Sequence, residues 1–151
     1  MQYLPIGLNL AGKKVLIIGG GRVALRKIET LELYTHELWV LAPSIRDDIR
    51  NRSWINLIER EYQRGDLAGF FMVIAATDNK ALNLAIAEDA RQCACLVSVA
   101  SDPGAGDFIS PAIYFDGNMS VAVSSDGLDV KKSVRWRDKI ARILSEGFLD
   151  N

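Results

Sequence analysis

The sequence predicts an α/β protein with a five-stranded, parallel, doubly wound sheet, followed by a β-hairpin and a helix. Two observations support this prediction. Between residues 14 and 100, short apolar runs alternate with helix-forming segments, the pattern of a parallel sheet with right-handed crossovers. After that, Asp116-Gly117 separates two β-rich runs, which is a strong hairpin signal. We therefore expect a domain of residues 1–111 and a smaller region of residues 112–151.

Each predicted strand of the first domain is a short apolar run, and each predicted helix has apolar residues at helical spacing. Phe71–Ala75 is fully apolar, as expected of a buried parallel strand, whereas Leu57–Arg60 is short and is expected near an edge. Pro43 ends the second strand, and Ser44 is expected to cap a short helix that extends to about Asn51. The predicted strands are Lys14–Ile18, Leu38–Leu41, Leu57–Arg60, Phe71–Ala75 and Leu96–Ala100, and the longer helices are Val23–Tyr34 and Lys80–Gln92.

The smaller region is predicted to contain the strands Ala112–Phe115 and Met119–Ser124 and a helix from about Val130 to Leu149. Asp129 stands immediately before this helix and is a good N-cap residue. A hairpin with a single helix has little core of its own. We therefore expect its apolar face to pack against a second subunit, which makes the protein a homodimer.

The composition is typical of a soluble globular protein: 49% of the residues are hydrophobic, 25% are charged, and the net charge is −1. This charge favours neither nucleic acid nor a membrane as a partner. The first residues lack the basic start and apolar stretch of a signal peptide, so a cytoplasmic location is expected. Cys93 and Cys95 are the two cysteines. Because no second pair completes a zinc site, we expect two reduced, mostly buried thiols and no metal site.

Three glycines between the first strand and the first helix indicate a Rossmann-like dinucleotide-binding unit. Gly19 permits a sharp turn, and the absence of a Cβ at Gly21 allows the backbone to approach a pyrophosphate. Ala24 is the third small residue of the motif, where the helix packs on the strand. The N-terminus of that helix offers backbone N–H groups and a partial positive charge to phosphates.

The acidic residue that many NAD-binding proteins place at the end of the second strand is absent here. Contacts to the ribose would then come from the backbone or from Ser44. Arg22, Arg46 and Arg50 offer an alternative, binding of a 2′-phosphate, unless they are solvated surface residues. These residues by themselves leave both NAD and NADP open.

Six segments together resemble one family. They are Tyr3–Ile6, Leu16–Lys27, Val40–Pro43, Ile74–Asn83, Phe108–Ala112 and Val121–Ser125. In combination they resemble the precorrin-2 dehydrogenase family, which is also found as the N-terminal module of siroheme synthase. The resemblance implies a Rossmann domain followed by a dimerisation region. It also implies NAD-dependent oxidation of precorrin-2 to sirohydrochlorin, a step of siroheme biosynthesis, and in some members the insertion of ferrous iron.

The resemblance also assigns cofactor contacts. Besides Gly19 and Gly21 of the glycine turn, these are Arg22, Val23, Pro43, Ser44, Thr77 and Asp78. All of them follow predicted parallel strands, at the edge of the sheet where doubly wound folds bind their ligands. For Asp78, capping of the following helix is an alternative role, and the two roles are compatible.

The catalytic segment departs from the family pattern. The position of the family's acid–base aspartate is Ser101 in this chain, and a serine hydroxyl is a very poor general base near neutral pH. Asp102 is the neighbouring carboxylate. It is either a substitute base or only the first residue of an Asp-Pro-Gly turn, in which case the site has no carboxylate base. We therefore expect dehydrogenase activity to survive better than ferrochelatase activity.

The last predicted helix is strongly basic. It contains Lys131, Lys132, Arg135, Arg137, Lys139 and Arg142. Lys131 and Lys132 in its first turn oppose the helix dipole, so they are candidates for binding the carboxylates of a tetrapyrrole. Ser124 and Ser125 are candidate neutral donors, and the resemblance implies that Ser125 lies near the tetrapyrrole. The alternative is a solvated basic face.

Two other functions stay open from the sequence: a non-catalytic module that binds NAD or a tetrapyrrole, and a regulator that senses NAD(H).

Overall fold

The structure, a computed structural model, describes residues 3–146. These residues form two compact units. The first unit consists of residues 4–108, and the second consists of residues 109–146 together with Tyr3. Among residues 3–146, no helix combines the length and apolar character needed to span a membrane.

The first unit is a parallel sheet with helices on both faces. Its strands are β1 (Val15–Ile18), β2 (Leu38–Leu41), β3 (Asn56–Ile58), β4 (Met72–Ala75) and β5 (Leu96–Val99). Its helices are α1 (Arg22–Leu31), α2 (Asp47–Arg50) and α3 (Lys80–Gln92), and a 3-10 turn covers Pro103–Ala105. The strand order is β3-β2-β1-β4-β5, and every pairing is parallel. The chain therefore winds outward from β1 and then returns to its other side, so the predicted doubly wound fold is confirmed.

Burial on both faces explains why the first strand is continuously apolar. Val15 and Ile17 pack with α1 residues such as Ile28, whereas Leu16 and Ile18 pack on the other face with α3 residues. All four side chains of β1 are buried. Side chains alternate along a strand, so a strand covered on both faces needs apolar residues at every position.

Two predicted helix caps are wrong. Ser44 does not cap α2, which begins after Arg46 and has no side-chain cap. Instead, Arg46 N donates to the carbonyl of Gly20 at 3.0 Å, which holds this loop against the glycine turn. At α3 the cap is Asn79, whose Oδ1 accepts from Leu82 N at 3.1 Å, and not Asp78. An N-cap residue needs non-helical backbone angles and a side chain that reaches an N–H of the first turn, and Asn79 has both.

Several predicted boundaries also shift. Helix α1 ends at Leu31 instead of Tyr34, because Tyr34 N and Thr35 N both donate to the Leu31 carbonyl and close a turn. Strand β3 is Asn56–Ile58, shorter than predicted, and lies at the sheet edge as expected.

The two cysteines differ in exposure. Cys95 is buried next to β5, and burial raises the pKa of its thiol to about 12. Cys93 is exposed at the end of α3, so the expectation that both thiols are mostly buried is wrong for Cys93. The chain leaves the helix between them, at Ala94, where φ is +52°.

The second unit contains a hairpin and a helix, as predicted. Strands β6 (Ala112–Asp116) and β7 (Met119–Val123) pair antiparallel around Gly117, whose φ is +62°. Helix α4 covers Val130–Ser145, and the predicted end at Leu149 lies outside the described residues. Asp129 caps α4, since its Oδ1 accepts from Lys132 N at 2.8 Å. Arg137 Nη1 donates to the Ile113 carbonyl at 3.0 Å and ties α4 to the hairpin.

The close packing of the glycine turn is tested with the variant Gly20→Ala. We expect Gly20→Ala to lower the free energy of unfolding by about 1–3 kcal/mol, the usual cost of overpacking. Its Cβ would lie 2.2 Å from the Ser44 carbonyl oxygen and 2.8 Å from Ile45 Cα, and both are backbone atoms. Urea unfolding measures the change. Gly7→Ala is the control, because its Cβ meets nothing within 4 Å. Equal stability of the two variants would contradict this account.

Candidate functional site

The glycine turn between β1 and α1 is tightly packed on two sides and open on the third. A Cβ at Gly19 would lie 2.4 Å from the carbonyl oxygen of Ala76, and the φ of Gly19 is +126°. A Cβ at Gly20 would collide with the backbone of Ser44. At Gly21, by contrast, a Cβ meets nothing within 4 Å. The turn therefore brings the ends of β1, β2 and β4 together and leaves free space at the start of α1.

The start of α1 suits an anion. Gly21 is the N-cap residue, no side chain caps the helix, and its first turn contains no acidic residue. Backbone N–H groups at such a position and the helix dipole favour a phosphate. Arg22 is exposed there, and Val23 is 45% exposed. Ala24 is buried against the sheet, as the glycine motif requires. The open space and the uncapped helix fit the pyrophosphate of a dinucleotide.

The loop after β2 forms the second side of the site. Ala42 is buried, and Pro43 and Ser44 are exposed at the carboxyl edge of the sheet. Because Ser44 is not needed as a helix cap, its hydroxyl is available for a ribose. The structure thus places the two predicted residues next to the glycine turn, and their contacts with a cofactor stay a prediction.

Two of the three arginines considered for a 2′-phosphate are already paired with carboxylates. Arg46 lies 2.5 Å from Asp48, and Arg50 forms two hydrogen bonds to Glu59, at 2.5 and 2.9 Å. The hydrogen bond from Arg50 lowers the pKa of Glu59. Within residues 3–146, Arg22 forms no ion pair. Of the three arginines, Arg22 therefore keeps an unpaired charge within the described chain.

Thr77, directly beyond β4, belongs to a compact hydrogen-bond cluster. Its Oγ1 donates to Asn83 Oδ1 at 2.7 Å and accepts from Asn79 N at 3.2 Å. Asn83 is fully buried in α3. Asp78 is exposed and makes no hydrogen bond within the described chain. Its capping role is wrong, as described above, and its contact with a cofactor stays a prediction.

Ser101 and Asp102 follow β5, the strand next to β4. Ser101 Oγ accepts a hydrogen bond from Asn83 Nδ2 at 3.1 Å. Asp102 Oδ1 accepts from Gly104 N at 3.1 Å, so this carboxylate occupies the turn-initiating position that the sequence offers it. Asn83 was not predicted as a site residue. The available signal was a polar residue on the otherwise apolar face of α3.

The predicted substrate residues Ser124 and Ser125 lie in the second unit, before α4. Ser124 Oγ accepts from Asp126 N at 3.3 Å. Ser125 Oγ accepts from Asp129 N and from Ser133 Oγ, both at 3.0 Å. Both hydroxyls therefore shape the turn that leads into α4.

Lys131 and Lys132 are exposed in the first turn of α4. Lys132 Nζ lies 5.4 Å from the centre of the Trp136 ring, a cation–π contact one turn along the helix. Trp136 is itself 54% exposed. The basic side chains thus border an exposed aromatic face. Among residues 3–146, no group of three or more His, Cys, Asp or Glu side chains is arranged to hold a metal ion.

A protein-family model described as putative NAD(P)-binding matches residues 6–112. The chain belongs to this NAD(P)-binding family. The predicted use of NAD is confirmed at the level of the family, whose description covers NAD and NADP. The matched residues include the glycine turn, both neighbouring loops and the cluster around Asn83.

The chain is also similar to siroheme synthases. It is 40% identical over 130 residues to the siroheme synthase of Pseudomonas fluorescens strain SBW25, covering 84% of this chain and 28% of that protein. It is 37% identical over 151 residues to the siroheme synthase of Nitrosococcus oceani, covering 98% of this chain and 32% of that protein. The chain therefore spans about a third or less of the length of these relatives. The predicted resemblance to siroheme synthases is confirmed over this part of their length.

A solved structure shares the fold. SirC, a precorrin-2 dehydrogenase, superposes with a TM-score of 0.77 at 24% identity, covering 93% of this chain and 70% of that one. The NAD(P)-binding family and this structural likeness agree with the strand order described above.

The open side of the glycine turn is tested with the variant Gly21→Ala. We expect Gly21→Ala to weaken NADH binding by about tenfold or more, since a methyl group would enter the space that fits the pyrophosphate, and tenfold is about 1.4 kcal/mol. The fold should tolerate alanine, because Gly21 is extended, with φ −94° and ψ −164°. Titration of NADH fluorescence and a thermal melt measure the two effects. Unchanged NADH affinity would show that the cofactor does not approach Gly21.

Proposed function

We propose that this chain catalyses the NAD-dependent oxidation of precorrin-2 to sirohydrochlorin. The observation that carries the proposal is the open, uncapped glycine turn at the carboxyl edge of the sheet, in a chain whose relatives are siroheme synthases. The turn follows β1, which lies beside β4 at the point of the sheet where the strand order reverses. This is the position at which doubly wound sheets bind their ligands.

NAD fits the site better than NADP. A 2′-phosphate would need unpaired positive charge near the loop after β2, and Arg46 and Arg50 are already bound to Asp48 and Glu59. Arg22 keeps a free charge, but it stands at the start of α1, at the space that fits the pyrophosphate. Ser44 offers a neutral hydroxyl that suits a ribose hydroxyl. The cofactor residues proposed here are Gly19, Gly21, Arg22, Val23, Pro43, Ser44, Thr77 and Asp78.

The oxidation removes a hydride and a proton from the reduced macrocycle. NAD, when bound, supplies the hydride acceptor. The protein holds the two reactants close, which by itself lowers much of the barrier. Ser101 cannot act as the base, and the Asp102 carboxylate would have to leave Gly104 N before it accepted a proton. We propose that water or a carboxylate of the substrate takes the proton.

Precorrin-2 carries many carboxylates, and the second unit offers complementary groups. We propose that Lys131 and Lys132 bind carboxylates and that the Ser124 and Ser125 hydroxyls add neutral donors. The exposed ring of Trp136 beside Lys132 supports this assignment, because a flat macrocycle suits an aromatic face bordered by positive charge.

We propose further that the protein is a homodimer formed through the second unit. Within the described part of this unit, Ser133 is the one side chain that is almost fully buried. Several large apolar side chains are exposed instead, including Leu128 at 89% and Met119 at 69%. A hairpin and one helix rarely form a stable core alone, so a second subunit would cover this apolar surface.

A second candidate is a non-catalytic module that binds NAD and a tetrapyrrole. The observation in its favour is that position 101 lacks a carboxylate and that Asp102 is engaged in its own turn.

The proposed activity is tested by mixing the protein anaerobically with precorrin-2 and NAD⁺ and following the sirohydrochlorin spectrum. We expect turnover by the unaltered chain. If NADH and sirohydrochlorin both bind and no turnover occurs, the non-catalytic module is the correct function. If NADH binds and tetrapyrroles do not, the regulator that senses NAD(H) is the correct function.

The Asp102 role is tested with Asp102→Asn, which keeps an oxygen to accept from Gly104 N. We expect turnover to change less than about twofold, because general-base catalysis would contribute about 100-fold or more. A loss of that larger size would identify Asp102 as the base. Ser101→Asp is the companion variant, and we expect it to raise the rate of ferrous iron insertion into sirohydrochlorin.

The homodimer is tested by light scattering after size-exclusion chromatography. We expect a mass twice that of one chain at micromolar concentration. A mass of one chain would rule out the proposed dimer and leave the apolar surface of the second unit unexplained.

A further inference from the structure

Asn83 is the most deeply buried polar side chain in the described part of the protein. Its exposure is 0%, and it stands in the first half of α3 among apolar core residues such as Ile86 and Ala87. Burying an amide is unfavourable unless its hydrogen bonds are replaced. The position therefore calls for a specific set of partners.

The Asn83 side chain has all four of the hydrogen bonds that an amide can make. Its Oδ1 accepts from Thr77 N at 3.2 Å and from Thr77 Oγ1 at 2.7 Å. Its Nδ2 donates to the Thr77 carbonyl at 3.0 Å and to Ser101 Oγ at 3.1 Å. One buried amide thus joins the loop after β4 to the loop after β5.

Helix α3 does not need Asn83 for its own start. The N-cap is Asn79, whose side chain accepts from Leu82 N. Within residues 3–146, no hydrogen bond joins Thr77 to Ser101 directly. The connection between these two residues therefore runs through Asn83. A leucine of similar size would fill the space, and it would leave Thr77 N and the Thr77 carbonyl without these partners.

We propose that Asn83 is a positioning residue that couples the cofactor loop at Thr77 to the reaction loop at Ser101. Because Nδ2 occupies a lone pair of Ser101 Oγ, the serine proton is left to be donated to a ligand. Ser101 is thereby held as a hydrogen-bond donor at the carboxyl edge of the sheet, and this role replaces that of a base. The inference has two halves. The Ser101 half, that Asn83 positions Ser101 for the reaction, rests on the proposed function. The Thr77 half, that Asn83 positions Thr77 for the cofactor, requires only cofactor binding.

The test is a pair of double-mutant cycles, which measure coupling between residues in contact. We expect Asn83→Leu to raise the NADH dissociation constant and to lower kcat with precorrin-2, each by about tenfold. Thr77→Val removes the Oγ1 hydrogen bond and keeps the two backbone ones. In this background the effect of Asn83→Leu on the NADH dissociation constant should therefore be smaller by about threefold. In a Ser101→Ala background, the effect of Asn83→Leu on kcat should likewise be smaller by about threefold. Independent, multiplicative effects in both cycles would overturn the proposal.

Asn79→Ala is the matched control. It removes the cap of the same helix and leaves the Asn83 amide with its partners. We expect it to lower the melting temperature while the NADH dissociation constant and kcat stay within about twofold, since a lost cap affects stability. If Asn79→Ala reproduced the effects of Asn83→Leu on binding and kcat, Asn83 would have only a structural role.

A third cycle leaves the buried residue unaltered. Thr77→Val and Ser101→Ala leave Asn83 intact and remove small groups at the two ends of its bridge. We expect their effects on kcat/KM to deviate from the product of the single effects by at least about threefold. If the two effects multiply in an active enzyme, this inference fails and the proposed function stands. If the unaltered chain forms no sirohydrochlorin, the proposed function fails, and the Ser101 half of the inference fails with it. The NADH cycle between Asn83 and Thr77 then decides the remaining half.

Discussion

The backbone of the Gly19–Gly20 turn lies so close to two neighbouring loops that no side chain fits between them. The Ala76 carbonyl stands on one side and the Ser44 carbonyl on the other. Two backbone hydrogen bonds strengthen this contact, from Gly19 N to the Leu41 carbonyl and from Arg46 N to the Gly20 carbonyl. The ends of three parallel strands are therefore held together at one point. The open space at Gly21 lies directly after this packed turn, at the start of α1.

The carboxyl edge of the sheet has a second level of organisation in α3. The Asn79 cap starts the helix, and Asn83, one turn later, bonds to the loops after β4 and β5. Two asparagines four residues apart thus serve different purposes, one for helix stability and one for the arrangement of loops. Buried polar groups with all partners present hold their surroundings in one arrangement. Thr77 and Ser101 therefore share a common support inside the first unit.

Positions 101 and 102 do not offer the site a free carboxylate as a general base. A serine at position 101 accepts a hydrogen bond from Asn83, and the neighbouring carboxylate of Asp102 is used by its own turn. Hydride transfer depends chiefly on the placement of two reactants. Metal insertion depends on the removal of pyrrole protons. We propose on this ground that a site that positions its reactants and lacks a strong base favours the first reaction over the second.

The sequence by itself determined the doubly wound sheet, the glycine turn, the hairpin and the Asp129 cap. These features depend on local rules: β1 is buried on both faces and must be apolar throughout, and an Asp-Gly pair closes a hairpin within a few residues. The tertiary structure decided that Asn79 and not Asp78 caps α3 and that Cys93 is exposed. It also decided that Arg46 and Arg50 are paired and that Asn83 reaches Ser101, 18 residues away. Such features depend on which loops meet at the end of the sheet and on how their side chains are directed, and residue spacing along the chain does not encode that geometry.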